Sequence, residues 1–355
     1  MMNIYKQLCV LALTLPITPL NAAEMTAENT GNPSISVVGI FAGSSMNGGD
    51  AVHRDEFLPL SESEFIFAAE VDAYTRLDIT ATAADGAMAV EEGYLTSKLP
   101  QGFRVRAGLK FIPFGRANEV HPHALVYADT PNGLVNMFGA EKFTGEGLFI
   151  DHPLYIGDSA HSLLFGFFQN QNDVAFNANG DNEFSSMVRW KGVWDINDTS
   201  TFELGSTYIN GKNSYTDTSR TEVSSIHFAL MQHQFDGSGW SVQGEWNQSR
   251  LDTGVSQQFT DGAYLLGEYD YNRNWLSFAR YDFSQTTGTG LSETAYSAGL
   301  AWKISEFQNI TLQYKHTKHA LAQTAAGLGI QAGQNANEVF FRWVVAIGPH
   351  KAHSY

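Results

Sequence analysis

Residues 103–111 read FRVRAGLKF, and apolar side chains occupy every second position of this stretch. The positions between them carry Arg104, Arg106 and Lys110, which would lie on the opposite face. A period of two is the period of a β-strand with one apolar and one polar face. The same alternation recurs along the chain, for example at 76–81, 240–247 and 310–315.

Sixteen stretches of this kind follow residue 33, and most have the roughly 9–12 residues that a tilted strand needs to cross a bilayer. The predicted strands begin near Ser34, Glu64, Tyr74, Met88, Gly102, Gly147, Ser162, Glu183, Thr201, Glu222, Trp240, Gly262, Arg273, Glu293, Asn309 and Asn337. Their connections alternate in length, since tight joints such as Asp236-Gly237-Ser238-Gly239 alternate with mostly longer ones.

Short turns at one end and long loops at the other are typical of outer-membrane barrels. The sequence therefore predicts an all-β fold, a transmembrane antiparallel β-barrel of about 16 strands. The longest connection, 112–146, follows the fifth strand and would be the third external loop. A soluble β-sandwich is the alternative, but it has no reason to place its long loops at one end.

The N-terminus has the features of an export signal. Lys6 precedes a short apolar run at 8–16, and Ala22 and Ala23 offer a small-residue cleavage site. We predict a signal peptide at 1–23, a short periplasmic segment at 24–33 and the barrel at 34–355. A buried N-terminal strand or helix is the alternative for the apolar run.

Composition excludes two classes of protein. The chain has 37 Asp and Glu against 21 Lys and Arg, a formal net charge of −16, so it is a poor candidate for binding nucleic acid. After the signal peptide, no stretch approaches the roughly 18 consecutive apolar residues of a membrane-spanning helix. Both facts are compatible with a membrane barrel, because its strands alternate apolar and polar residues and contain no long apolar run.

In this architecture the chain resembles the trimeric porins of Gram-negative bacteria, and the resemblance covers the whole mature chain. The resemblance implies a cell outer-membrane location, contact with outer-membrane lipid and lipopolysaccharide, and a homotrimer. It also implies that the third loop folds into the barrel and narrows a pore. A sixteen-stranded barrel is wide enough to leave an aqueous channel.

Charged residues on the polar strand faces and on the long loop suggest a constriction. The predicted wall residues are Arg76, Arg104, Arg106 and Lys110, and the predicted loop residues are Arg116, Glu119, Asp129 and Glu141. Porins of the resembling type set a basic wall opposite an acidic loop, which gives a transverse field that sorts solutes by charge. Alternatively, these residues pair with one another or with Glu64, Glu70 and Asp72 and only stabilise the wall.

Two adjacent acids, Glu91 and Glu92, lie within the fourth predicted strand. In a regular strand their side chains point to opposite faces. We expect one of them to lie near a rim or a subunit contact, unless a bulge intervenes.

His121 and His123 form an H-x-H pair inside the long loop, and imidazoles flanked by carboxylates can bind Zn²⁺ or Cu²⁺. Together with LKFIPFGR at 109–116 and GPHKAH at 348–353, this pair resembles an uncharacterised porin-like group labelled zinc-regulated outer-membrane proteins. Ordinary polar histidines are the alternative, and no other cofactor is expected.

The function that these features favour is passive diffusion of small hydrophilic solutes or ions through a channel. The alternative is a barrel that binds a metal or another ligand without general pore activity. No catalytic motif was found among P-loop, G-x-S-x-G, H-E-x-x-H and paired-cysteine patterns, so we do not expect an enzyme.

Overall fold

The computed structural model describes residues 33–47, 58–170, 172–177 and 183–348, and within them the chain forms a closed sixteen-stranded antiparallel barrel. The strands are β1 Ser34–Asn47, β2 Leu60–Glu70, β3 Thr75–Ala84, β4 Ala87–Lys98, β5 Arg104–Phe111, β6 Thr144–Ile156, β7 Ser159–Asn170, β8 Glu183–Asn197, β9 Ser200–Lys212, β10 Arg220–His233, β11 Gly239–Asp252, β12 Gln257–Asp270, β13 Trp275–Thr286, β14 Ser292–Ser305, β15 Gln308–Lys318 and β16 Ala336–Ile347. The predicted fold class is confirmed, and every predicted strand start lies within five residues of the observed one.

Three short α-helices accompany the strands, α1 Asn132–Phe138, α2 Asp173–Phe176 and α3 Ala322–Leu328, together with two 3₁₀ helices, Pro100–Gly102 and Pro122–Ala124. None of the helices in the described ranges is long and apolar enough to cross a membrane. The predicted signal peptide at 1–23, and all of the segment 24–33 except Pro33, lie outside the described residues.

The ladder between β1 and β16 closes the sheet. Eleven residue pairs join these strands, from Val37 opposite Ile347 to Asn47 opposite Asn337. Closure leaves no open sheet edge, so the strands can pair their backbone N–H and C=O groups without water. A closed barrel is one of the two architectures that can span a bilayer.

Side-chain burial is inverted relative to a soluble protein. Leu300, Leu312 and Phe341 lie opposite one another on β14, β15 and β16, and their side chains are 43%, 54% and 36% exposed on the outer face. Asp282 and Gln313, on the inner face of the same wall, are 0% and 1% exposed. An apolar exterior around a polar interior is the distribution of a barrel immersed in lipid.

The connections differ in length at the two ends of the barrel. At one end, every connection between consecutive strands has two to five residues, as between Ile156 and Ser159. At the other end they range from two residues between β3 and β4 to the 32 residues that separate Phe111 from Thr144. This segregation agrees with the predicted alternation of turns and loops.

A β-bulge resolves the position of the two adjacent acids in β4. Thr80 pairs with Glu92 but Ala81 pairs with Val90, so Glu91 is the extra residue. A bulge re-aims side chains that strict alternation would separate. Both carboxylates reach the interior, where each lies within 4 Å of the imidazole of His121. The expectation that one acid lies near a rim or subunit contact is therefore wrong.

The outer apolar face predicts the effect of a charge placed on it. Leu312→Arg, near the middle of β15, should lower the free energy of unfolding in lipid vesicles by about 2–4 kcal/mol, because the guanidinium must enter hydrocarbon. Phe307→Arg, in the turn before β15, is the matched control and should cost only about 0–1 kcal/mol. Equal effects of the two variants in urea-unfolding experiments would contradict the placement of this face in the bilayer.

Candidate functional site

The chain between β5 and β6, residues 112–143, packs inside the barrel, and we call it the crossing segment. Its two ends are held by aromatic side chains: Phe138 packs edge-to-face on Phe114 at 5.2 Å and stacks on Phe143 at 4.7 Å between ring centroids. All three are at most 3% exposed and join a cluster with wall residues such as Phe168. Burial of this apolar surface stabilises the segment within the lumen.

Helix α1 of the crossing segment lies directly against the wall. A Cβ atom at Gly133 would lie 2.8 Å from Cα of Gly262 in β12, and one at Gly262 would lie 2.7 Å from Cα of Gly133. Two facing glycines allow the helix and strand backbones to approach this closely.

A first polar anchor joins the start of the segment to β9 and β11. The backbone N–H of Arg116 donates to Glu245 Oε2 at 2.7 Å, and its side chain donates to Gln243 Oε1 and Glu203 Oε1, each at 2.6 Å. A guanidinium that donates to several acceptors fixes both position and orientation.

Glu119 forms the next anchor, an ion pair with Arg189 of β8. Burial favours the neutral acid, but the charges of Arg189, Lys110 and Arg106 outweigh burial and lower the pKa of Glu119 to about 2. Two of the basic wall residues predicted from the sequence therefore act electrostatically on a predicted acid of the loop.

The H-x-H pair meets the acidic part of the wall. His123 Nδ1 lies 2.7 Å from Glu64 Oε1 of β2, and His121 Nε2 lies 3.0 Å from Glu92 Oε2 of β4. Burial alone would lower the pKa of His121, but its hydrogen bonds to Glu64 and Glu92 and their charges raise the pKa to about 10.

One arginine of β16 binds the backbone of the segment. Arg342 donates to the carbonyl oxygens of Pro122 at 3.0 Å and Tyr127 at 2.8 Å, and also to that of Leu125. These bonds satisfy backbone acceptors that are buried and belong to no strand.

Asp129 makes the most densely bonded anchor. Its Oδ2 accepts from Arg280 Nη2 at 2.7 Å and from Lys315 Nζ at 2.6 Å, while Oδ1 accepts from Gln313 Nε2 at 2.5 Å. Burial raises the pKa of the Asp129 carboxyl, but the two cations outweigh it and hold that pKa below its usual range. The Tyr127 ring packs 4.4 Å from the Arg280 guanidinium carbon, a cation–π contact that adds to this anchor.

The other predicted wall residues pair mainly with acids of the wall. Arg104 and Arg106 both bind Asp151 of β6, and Lys110 Nζ lies 3.6 Å from Glu92 Oε1. Arg76 binds Glu70 and Asp78. Glu70 is one of the acids predicted from the sequence as possible partners of the basic wall residues.

The eighth predicted residue, Glu141, is exposed near the end of the crossing segment. The structure thus brings Arg116, Glu119 and Asp129 of the segment onto the wall, where the residues that bind them are mostly ones that sequence reasoning missed. The missed partners are Arg189, Glu203, Glu245, Arg280 and Lys315, and Arg342, which binds backbone carbonyls of the segment, was missed as well. Their positions on the polar faces of strands could have identified them as residues that point into the barrel. The sequence gives no sign of which residues they pair with, because the partners lie up to 220 positions away.

Asp129 provides a test of the anchors. Asp129→Asn should lower the free energy of unfolding by about 3 kcal/mol, because it leaves two buried cations without their shared carboxylate. Hydrogen exchange of amides in the crossing segment should accelerate in parallel. Glu306→Gln, in the exposed turn between β14 and β15, is the control and should change stability by less than about 0.5 kcal/mol. Unchanged exchange in Asp129→Asn would contradict an anchoring role.

No family model matches the chain. An uncharacterised protein of Aquifex aeolicus strain VF5 is 25% identical over 342 residues, which cover 83% of this chain and 70% of that protein.

Solved structures of similar fold are outer-membrane barrels. An anion-selective porin from Comamonas acidovorans aligns with a TM-score of 0.61 at 11% identity, over 89% of this chain and 100% of that one. The outer-membrane channel DcaP of Acinetobacter baumannii aligns with a TM-score of 0.58 at 11% identity, over 92% and 100%. OmpT of Vibrio cholerae aligns with a TM-score of 0.58 at 11% identity, over 89% and 98%. The chain therefore has the fold of the outer-membrane porin barrels.

Proposed function

We propose that this protein is an outer-membrane channel for the passive diffusion of small hydrophilic solutes or ions. The crossing segment, which lies within the predicted loop 112–146, narrows its lumen. The apolar outer face supports the membrane location, and the porins and channel with the same fold support the class of function.

The observation that carries this proposal is a cavity with a charged lining beside the crossing segment. Its volume is about 360 Å³, and Arg116, Glu119 and Tyr127 of the segment form part of its lining. Four basic and four acidic side chains line it: Arg116, Arg189, Lys191, Lys303, Glu119, Glu203, Glu268 and Asp270. Charged side chains of both signs in the lining suit hydrated polar solutes.

Burial on the inner wall supports the narrowing. Thr311, Lys315, Arg342 and Glu64 come from three different strands, and each is at most 4% exposed although all point into the barrel. They are covered mainly by the crossing segment, so the free cross-section at that depth is much smaller than that of an empty sixteen-stranded barrel.

Conductance is the direct test of a channel. Purified protein in planar bilayers should give stepwise current increments, and these should be small because the crossing segment fills much of the lumen. The Asp129→Asn chain should give larger increments, because its segment is released from one wall, whereas Glu306→Gln should match the wild type. Absence of stepwise current in the wild-type protein would refute the channel and favour ligand binding without a pore.

Charge selectivity should depend on the Arg104–Arg106–Asp151 group. The side chains of Arg104 and Arg106 are 45% and 19% exposed, so both border the aqueous interior. Arg104→Glu/Arg106→Glu should shift the reversal potential in a salt gradient toward cations, and Asp151→Asn should shift it toward anions. A reversal potential that both variants leave unchanged would remove this group from the conduction path.

Other expectations stay predictions. They are the homotrimer, the contacts with outer-membrane lipid and lipopolysaccharide, the absence of enzymatic activity, and membership of the zinc-labelled group. One solved structure of OmpT of Vibrio cholerae, similar at a TM-score of 0.58 with 10% identity, is described as a trimer form.

A further inference from the structure

The two histidines of the crossing segment and Glu64 form a compact group of metal-ligating side chains. One donor atom from each of Glu64, His121 and His123 lies within 4.8 Å of the other two, and all three residues are mostly buried. The His121 and His123 rings are nearly parallel, with an interplanar angle of 29° and centroids 5.7 Å apart. Two imidazoles and one carboxylate are a donor set that zinc sites use.

Several polar atoms in and beside this group are poorly satisfied. Within the described residues, buried Glu62 Oε1 and Glu91 Oε2 make no hydrogen bond, and His121 Nδ1 and Glu64 Oε2 have only their mutual contact at 3.3 Å. Buried polar atoms are nearly always hydrogen-bonded, so these atoms have free capacity to bind a ligand. Ionised carboxylates cannot hydrogen-bond to one another, because neither has a proton to donate. A cation between them can bind oxygen atoms of both.

The distances suit a small cation. His121 Nδ1 lies 3.3 Å from Glu64 Oε2. Two donors bound at about 2.0–2.1 Å in a tetrahedral zinc site are separated by about 3.3 Å. His121 Nε2, the other ring nitrogen, lies 3.0 Å from Glu92 Oε2, the arrangement by which a carboxylate orients a metal-bound imidazole.

The local charge also favours a cation. Glu62, Glu64, Glu91 and Glu92 bring four carboxyl groups to this part of the wall, and within the described residues the ammonium that contacts them is that of Lys110, at 3.6 Å from Glu92. Access from solvent exists, because the side chains of His121 and Glu91 are 12% and 25% exposed.

We propose that Glu64, His121 and His123 bind a divalent transition-metal cation of the zinc type, which joins the crossing segment to strand β2. Nitrogen donors select Zn²⁺, Cu²⁺ or Ni²⁺ over Ca²⁺ and Mg²⁺, which require oxygen ligands. The site concerns the attachment of the segment and does not depend on conduction through the barrel.

Titration calorimetry with metal-stripped, detergent-folded full-length protein tests the site with ZnCl₂ as the probe. The wild-type chain should bind one more Zn²⁺ than the His121→Gln/His123→Gln chain. Both chains contain all the other histidines, so the difference in stoichiometry reports on this site alone. Glu92→Gln should retain the site and weaken it by about tenfold or more, as for carboxylates that orient a ligand. His233→Gln, which changes an exposed histidine outside the group, should bind as the wild type does. CaCl₂ and MgCl₂ should not displace the zinc.

A second measurement needs no variant, in case the double substitution prevents folding. Zinc K-edge X-ray absorption of the wild-type chain loaded with one equivalent of Zn²⁺ should show a first coordination shell that contains two imidazole nitrogens and a carboxylate oxygen. Equal Zn²⁺ stoichiometry in the wild-type and double-variant chains, no binding by the wild type, or a zinc shell without imidazole nitrogens would overturn the site. Such a result would mean that protonated imidazoles alone compensate the carboxylates, and the conductance experiment would be unaffected.

Discussion

The closure of the sheet between β1 and β16 is the constraint on which the rest of the structure depends. Once the ladder closes, alternation assigns each side chain either to lipid or to the interior. The outer face can then be apolar, while charged residues such as Arg280 and Asp282, at 2% and 0% exposed, are confined inside. A buried charge is costly unless it is paired, so the charged side chains inside the closed barrel need oppositely charged partners in the lumen.

The crossing segment supplies many of these partners. Arg116, Glu119 and Asp129 each bind oppositely charged wall residues, and His121 binds two carboxylates. Its aromatic ends contribute apolar burial, but apolar packing is not directional. The charged anchors are directional, and they fix the path of the segment across the lumen.

Local pattern was enough to predict the barrel but only part of the site. Alternation and turn residues act over a few positions, which is why all sixteen strands were found within five residues of their starts. The bulge at Glu91 depends on the pairing of β4 with β3. The hydrogen bonds between Asp129 and Arg280 join residues that are 151 positions apart. Such contacts follow from register and from the path of the segment, and neither leaves a short-range signal in the sequence.

The interior charge is distributed differently from the predicted basic wall and acidic loop. Glu64 and Glu92 lie on β2 and β4, whereas Arg280, Lys315 and Arg342 lie on β13, β15 and β16, so the wall groups that meet the segment are acidic at one site and basic at the other. The segment is complementary to this polarity, because its histidines at 121 and 123 meet the acids and Asp129 meets the bases. A reversed path would set like charges together at both sites, each at a cost that a low-dielectric interior increases. The wall charges at these two sites therefore favour the direction in which the segment crosses.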